Sequence, residues 1–175
     1  MLQTGREDFN VEIAERDLKA ALAISIENAP DAQTAMLVNL GDGLHTNTNQ
    51  PYTASGNHIL DATGQMTETV RAFARSMRFG IDTLLAKHEK VIVINLRGNH
   101  DDFSATMFNL LLQAYYENDP RVDVLDNEQK NINFKWGKVF LSFLHGDKMN
   151  TQKWVNMIAR DFAKMWGETL FRYGF

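Results

Sequence analysis

The stretch that most constrains this chain is Val91-Ile92-Val93-Ile94-Asn95-Leu96, with Gly98-Asn99-His100-Asp101 just after it. An apolar, β-branched run without alternation reads as a parallel strand buried on both faces. Open α/β sheets bind their ligands off the carboxyl ends of such strands, and the polar tetrapeptide stands at that end. Asn, His and Asp offer a neutral oxygen, an imidazole and a carboxylate. Gly98 allows a tight turn and a close backbone approach. The pattern points to half of a metal site.

A chain of 175 residues is long enough for one domain with a sizeable core. The formal net charge of −4 supplies no global basic field for nucleic acid, although a local basic groove remains compatible with it. Cysteine is absent, which removes disulfides, thiolate metal sites and cysteine nucleophiles. There is no apolar run of bilayer-spanning length. The opening residues lack the basic-then-apolar layout of a signal peptide. The expectation is a cytoplasmic protein with no membrane partner.

The remaining elements follow from periodicity. Val11, Ala14, Leu18 and Leu22 predict a helix over 8–28, ended by Asn28-Ala29-Pro30. Ala35 to Leu40 predicts a short buried strand that runs into Gly41-Asp42-Gly43-Leu44-His45. A polar, turn-rich loop covers 46–65. A second helix spans 67–88, with Val70, Phe73, Met77, Ile81 and Leu84 on one stripe. After the strand 91–96, a third helix opens at Asp102 and is expected to turn Phe103, Met107, Leu110, Leu111 and Ala114 inward. Strands follow at 122–125, 132–136 and 139–144, the last two joined by a tight turn at Trp136-Gly137-Lys138. The last of these strands ends in His145-Gly146-Asp147. A helix over 151–166 and a strand from Leu170 complete the order, which is that of a layered α/β domain spanning 1–175.

Three strands therefore end in polar clusters: Asp42, then Asn99 and His100, then His145. Side by side, they would bring their ends to one edge. Such oxygen and nitrogen donors suit Mn²⁺, Fe, Zn²⁺ or Mg²⁺ better than soft copper. A carboxylate can bridge two ions about 3.5–4 Å apart, as in two-metal phosphatases and nucleases. A histidine free of metal can protonate the leaving oxygen.

Gly41-Asp42, Gly98-Asn99-His100-Asp101 and His145-Gly146, in this order and each after a strand, resemble the calcineurin-like metallophosphoesterase superfamily. Its bacterial and phage members include phosphodiesterases and nuclease subunits of DNA-repair exonucleases. The resemblance covers the chain from about residue 34 onward. It implies two packed sheets flanked by helices, two divalent metal ions and a phosphate-ester substrate, nucleic acid among the candidates. It implies that Asp42 bridges the two ions and that Asn99 and His145 hold the second. It makes His100 the residue that stabilises the transition state and protonates the leaving group. His45 and Asp101 would support the site from behind.

The chain departs from the family pattern in three places. No Asp-x-His motif precedes Asp42, and no Gly-His-x-His motif follows His145. The first metal would keep only Asp42, against the three or so protein ligands usual for catalytic zinc. His45 stands where the family often has the aspartate that orients the acid histidine. The expectation is thus a domain truncated at both ends with an incomplete first-metal site. The alternative to a phosphoesterase is a metal-poor or inactive fragment serving as an oligomeric or binding module. Missing strands would expose sheet edges, which predicts a homo-oligomer paired through them.

Other polar residues carry blander readings. Asp42 alone could be a helix N-cap. His58 repeats Gly-Asn-His after a loop and not a strand, so it is taken as coincidence. His88 reads as a solvated helix end. Arg71, Arg75 and Arg78 share a helix face that reads as solvated before it reads as a phosphate stripe.

Overall fold

The structure, a computed structural model, describes residues 10–48, 52, 56–59, 66–147 and 149–175. The elements run α1 (Val11–Glu27), β1 (Thr34–Asn39), α2 (Met66–Lys87), β2 (Lys90–Asn95), α3 (Asp102–Tyr116), β3 (Val122–Val124), β4 (Asn131–Trp136), β5 (Val139–Leu144), α4 (Thr151–Asp161), α5 (Ala163–Glu168) and β6 (Phe171–Gly174). The architecture is α/β, as the strand and helix patterns predict.

Two three-stranded sheets form. In the first, β2 lies between β1 and β3 and pairs with both in parallel. In the second, β5 lies between β4 and β6, antiparallel to β4 and parallel to β6. The period-2 geometry of β1 and β2 then divides their side chains between two cores. Ala35, Leu37, Val91 and Val93 face α1, α2 and α3, where they meet Ile26, Met77, Ile81, Leu84, Phe108 and Leu112. Met36, Val38, Ile94 and Leu96 face the second sheet, where they meet Ile132, Leu141 and Phe143. On that sheet's far side, Ser142 accepts a hydrogen bond from the Trp154 indole of α4 (3.1 Å), and Phe140 packs edge-on to Trp166 of α5. The layers are helices, sheet, sheet, helices.

Local chemistry sets the helix ends. Asn10 caps α1 by accepting from the Ile13 amide at 2.8 Å. The Lys87 ammonium, at the end of α2, donates to the carbonyls of Ile26, Glu27 and Ala29 and so closes the C-terminus of α1. Among the described residues, no helix is long and apolar enough to cross a membrane.

Four expectations need correction. Phe103, Met107, Leu110, Leu111 and Ala114 of α3 are exposed; the helix buries Ser104, Ala105, Phe108, Asn109, Leu112 and Tyr116 instead. The predicted helix 151–166 is two helices, broken at Phe162, whose φ of −119° and ψ of 34° leave the helical region. His88 is buried, with Nδ1 2.7 Å from the Ala32 carbonyl. The arginine stripe is only partly solvated: Arg75 bonds Glu15 of α1, and Arg78 lies over the Tyr115 ring. The loop predicted over 46–65 lies mostly outside the described residues.

Candidate metal centre

The two parallel strands β1 and β2 are in register, Asn39 opposite Asn95. Their following turns therefore emerge at the same edge. The chain after β5 arrives there from the other sheet. Asp42, Asn99 and His145 meet at this point. His145 Nε2 is 2.9 Å from Asn99 Oδ1 and 3.2 Å from Asp42 Oδ2. Its other nitrogen, Nδ1, is 2.8 Å from the Leu40 carbonyl.

Both ring nitrogens of His145 thus face oxygen acceptors. A neutral imidazole carries one N–H. With that proton on Nδ1, donated to Leu40, the Nε2 lone pair points at two further oxygens. Three electron-rich atoms then converge, and either a second ring proton or a bound cation would satisfy them. A histidine that donates one N–H to a carbonyl and presents its other nitrogen is the usual posture of a metal ligand. Asp42, Asn99 and His145 fit one divalent ion. Among the described residues no three His, Cys, Asp or Glu side chains form a metal-binding group; the third donor here is an amide oxygen.

The neighbouring position fits a second ion poorly. Asp42 Oδ1, the oxygen left for a bridge, already accepts the His100 backbone N–H at 2.9 Å.

Asp101 is fully buried beneath these residues. Its carboxylate accepts from the backbone amides of Gly98 (2.9 Å), Leu44 (3.0 Å) and Asp42 (3.2 Å). Three donors are what a buried carboxylate requires. The bonds tie the two strand-end turns together and hold Asp42 at a φ of 56°, a left-handed conformation that Asp tolerates better than most residues. Gly98 is needed for space: a Cβ there would overlap the Asp42 carboxylate and amide. At Gly41, with φ of 97°, a Cβ would fall 2.6 Å from His145 Nδ1.

His100 and His45 lie ring against ring, with centroids 5.1 Å apart and planes tilted by 37°. His45 therefore touches the expected acid without bonding it. His100 Nδ1 is enclosed and has no hydrogen-bond partner among the described residues. Partial loss of water around its ring, then the adjacent His100 imidazole, hold the His45 pKa below the ordinary histidine value; Asp42 and Asp101 oppose this.

Sequence reading missed three contributors. The Leu40 carbonyl orients His145, and backbone atoms leave no residue-type signal. Asn47 Oδ1 accepts from the amides of Phe103 (3.0 Å) and Ser104 (3.1 Å), capping α3 from another loop. Asn39 donates to Asn95 at 2.8 Å, and Asn95 donates to the Ala105 carbonyl at 3.0 Å, so an amide tier underlies the site. The signal for that tier was present, in Val38-Asn39-Leu40 and Ile94-Asn95-Leu96, two strands that end alike.

Compared with known proteins, the chain matches no family model, no curated protein and no solved structure.

Proposed function

We propose that this chain carries a phosphate-ester hydrolase centre of the calcineurin-like metallophosphoesterase type, with Asp42, Asn99 and His145 as metal ligands and His100 as the proton donor. The observation that carries the reading is His145, whose two nitrogens both face oxygens. The helix–sheet–sheet–helix layering agrees with the fold the resemblance implies.

Each residue has a distinct task. The Leu40 carbonyl fixes the His145 ring, so that Nε2 presents its lone pair. Asp101 sets the turn that carries Asp42. Asp42 Oδ1, by accepting the His100 N–H, fixes the backbone from which the His100 ring projects. With Nδ1 enclosed, Nε2 is the His100 nitrogen left to give a proton to the leaving oxygen. A bound divalent ion would supply positive charge to polarise a phosphoryl oxygen.

A second reading, a module that binds one metal ion without turnover, is favoured by the engaged Asp42 Oδ1. One experiment separates the two. The chelator-treated chain is titrated calorimetrically with Mn²⁺ and Zn²⁺, then assayed on a chromogenic phosphodiester. Metal affinity should fall more than about 100-fold in His145→Ala. Turnover should fall about 10²–10⁴-fold in His100→Ala, with metal affinity kept. Binding without turnover selects the second reading. Absence of binding, or binding indifferent to His145→Ala, overturns both.

A further inference from the structure

The last register pair of the first sheet breaks the pattern of its face. Ala35, Leu37, Val91 and Val93 pack against the helices. Asn39 and Asn95 continue that face and stand opposite each other. Asn95 is fully buried. A buried amide costs free energy unless its hydrogen bonds are made, and an aliphatic side chain incurs no such cost. Here the bonds are made. Asn39 Nδ2 donates to Asn95 Oδ1 at 2.8 Å, and Asn95 Nδ2 donates to the Ala105 carbonyl of α3 at 3.0 Å. Asn127, also buried, donates to the Asn95 backbone carbonyl at 3.0 Å.

We infer that Asn39 and Asn95 are positioning residues: their side-chain bond sets the register of β1 on β2, and through it the spacing of Asp42 from Asn99. The apolar residues of the two strands do not set it. Positions 35–38 and 91–94 are all Ala, Met, Leu, Val or Ile. Side chains alternate with period two, so a slip of two residues returns each of them to its own face. The same slip moves one strand end past the other by about 6–7 Å. Asp42 follows Asn39 by three residues and Asn99 follows Asn95 by four, so the slip takes the two donors out of reach of one ion.

The asparagine pair discriminates where the apolar residues do not. After a slip of two, Asn95 would stand opposite Leu37 or Gly41, and neither has a side-chain partner for its amide. A buried asparagine selects the register of coiled coils in this way, trading stability for uniqueness. Asp101 ties the turns beyond the strands, through the amides of Asp42, Leu44 and Gly98; the asparagine pair acts within the sheet. Its consequence for the ion rests on the reading of Asp42, Asn99 and His145 as ligands. Its consequence for the sheet does not.

The test replaces both amides of the full chain, Asn39→Val with Asn95→Val. Removing both partners of a buried polar pair is close to neutral, so Tm should fall by no more than about 3 °C. Mn²⁺ affinity should nonetheless fall about 10–100-fold by calorimetry. Nuclear Overhauser contacts between strand amides should show a second β1–β2 register beside the first. A purely structural pair would move Tm and leave affinity and register alone. Asn39→Val by itself, in which Asn95 keeps its bond to Ala105, covers a double variant that fails to fold; it should show the same changes to a smaller degree. A single, unchanged register overturns the inference, whatever the affinity. A wild-type chain that binds no ion overturns the metal reading, and the register measurement then decides this inference alone.

Discussion

α2 and α3 pack on the same face of the same sheet, but they obey different rules. α2 buries the stripe its sequence advertises, with Met77, Ile81 and Leu84 in the core and Arg71 and Arg75 outside. α3 turns Phe103, Met107, Leu110 and Leu111 outward and, beside Phe108 and Leu112, buries Ser104, Asn109 and Tyr116. The difference lies in what each helix must satisfy. α2 packs on α1 and on the strands, with apolar side chains at its core-facing stripe. α3 also closes a loop and a strand end whose backbone groups need partners. Ser104 Oγ donates to the Thr46 carbonyl at 2.5 Å, Asn109 Nδ2 to the Leu125 carbonyl at 3.0 Å, and Gln113 Nε2 to the Val124 carbonyl at 3.1 Å. Tyr116 donates to Asp82 of α2 at 2.9 Å, and burial, then that bond, push its pKa well above the ordinary tyrosine value, so it stays a donor at any ordinary pH. Side-chain bonds to strand and loop carbonyls add to the Phe108 and Leu112 packing in setting the face of α3, whereas the face of α2 follows its apolar stripe.

The sharpest way to break this contrast is to truncate one apolar side chain on each helix. Ile81→Ala on α2 should cost about 3 kcal/mol, because its site is fully buried. Leu111→Ala on α3 should cost no more than about 0.5 kcal/mol in urea melts at concentrations that keep the chain monomeric. Equal costs would remove the distinction.

Asn109→Leu tests the polar side of the contrast directly. It adds apolar surface to a buried position but leaves the Leu125 carbonyl without its donor. A loss of about 1–2 kcal/mol is expected by the same melts; a gain in stability would show that α3 follows ordinary hydrophobic patterning after all. Asn47→Ala removes the cap on α3 and should cost about 1 kcal/mol, with faster amide exchange at Phe103 and Ser104.

The smallest effect concerns how α2 meets α1. Glu15 accepts from Arg75 and from Lys19. The Arg75 bond, aided by Lys19 and opposed by burial, lowers the Glu15 pKa from 4.5 to about 2. The unfolded chain therefore takes up this proton first as pH falls. The pair's contribution is whole above about pH 4.5 and disappears as pH falls through about 2. Glu15→Gln should lower Tm by about 2 °C near neutrality. The gap should close in scans taken toward pH 2; a gap constant over that range would mean the ion pair contributes nothing.

Legibility in the sequence followed the same division. β2 could be read because four consecutive β-branched residues leave few alternatives. β1, β4 and β5 came within a residue or two of their places. The meeting of Asp42, Asn99 and His145 followed from three strand ends reaching one edge. The face of α3 could not be read, because hydrophobic spacing says nothing about the carbonyls of Thr46, Val124 and Leu125 that wait for donors. His88 looked solvated between Lys87 and Glu89, yet Ala32 of a neighbouring turn covers it. Nor could the role of Asp101 be fixed, since three amides from two turns converge on it only after folding.

The bond from His145 to the Leu40 carbonyl joins residues 105 apart in sequence. Its consequence concerns time. β1 and β2 pair after a crossover of fifty residues, yet Leu40 has no His145 to meet until β5 is in place as well. Contacts of such separation form late. The cluster of Asp42, Asn99 and His145, the metal site proposed above, should therefore be among the final parts of the molecule to appear during refolding. An ion captured there would slow unfolding more than it speeds folding, acting as a latch set after the structure has closed.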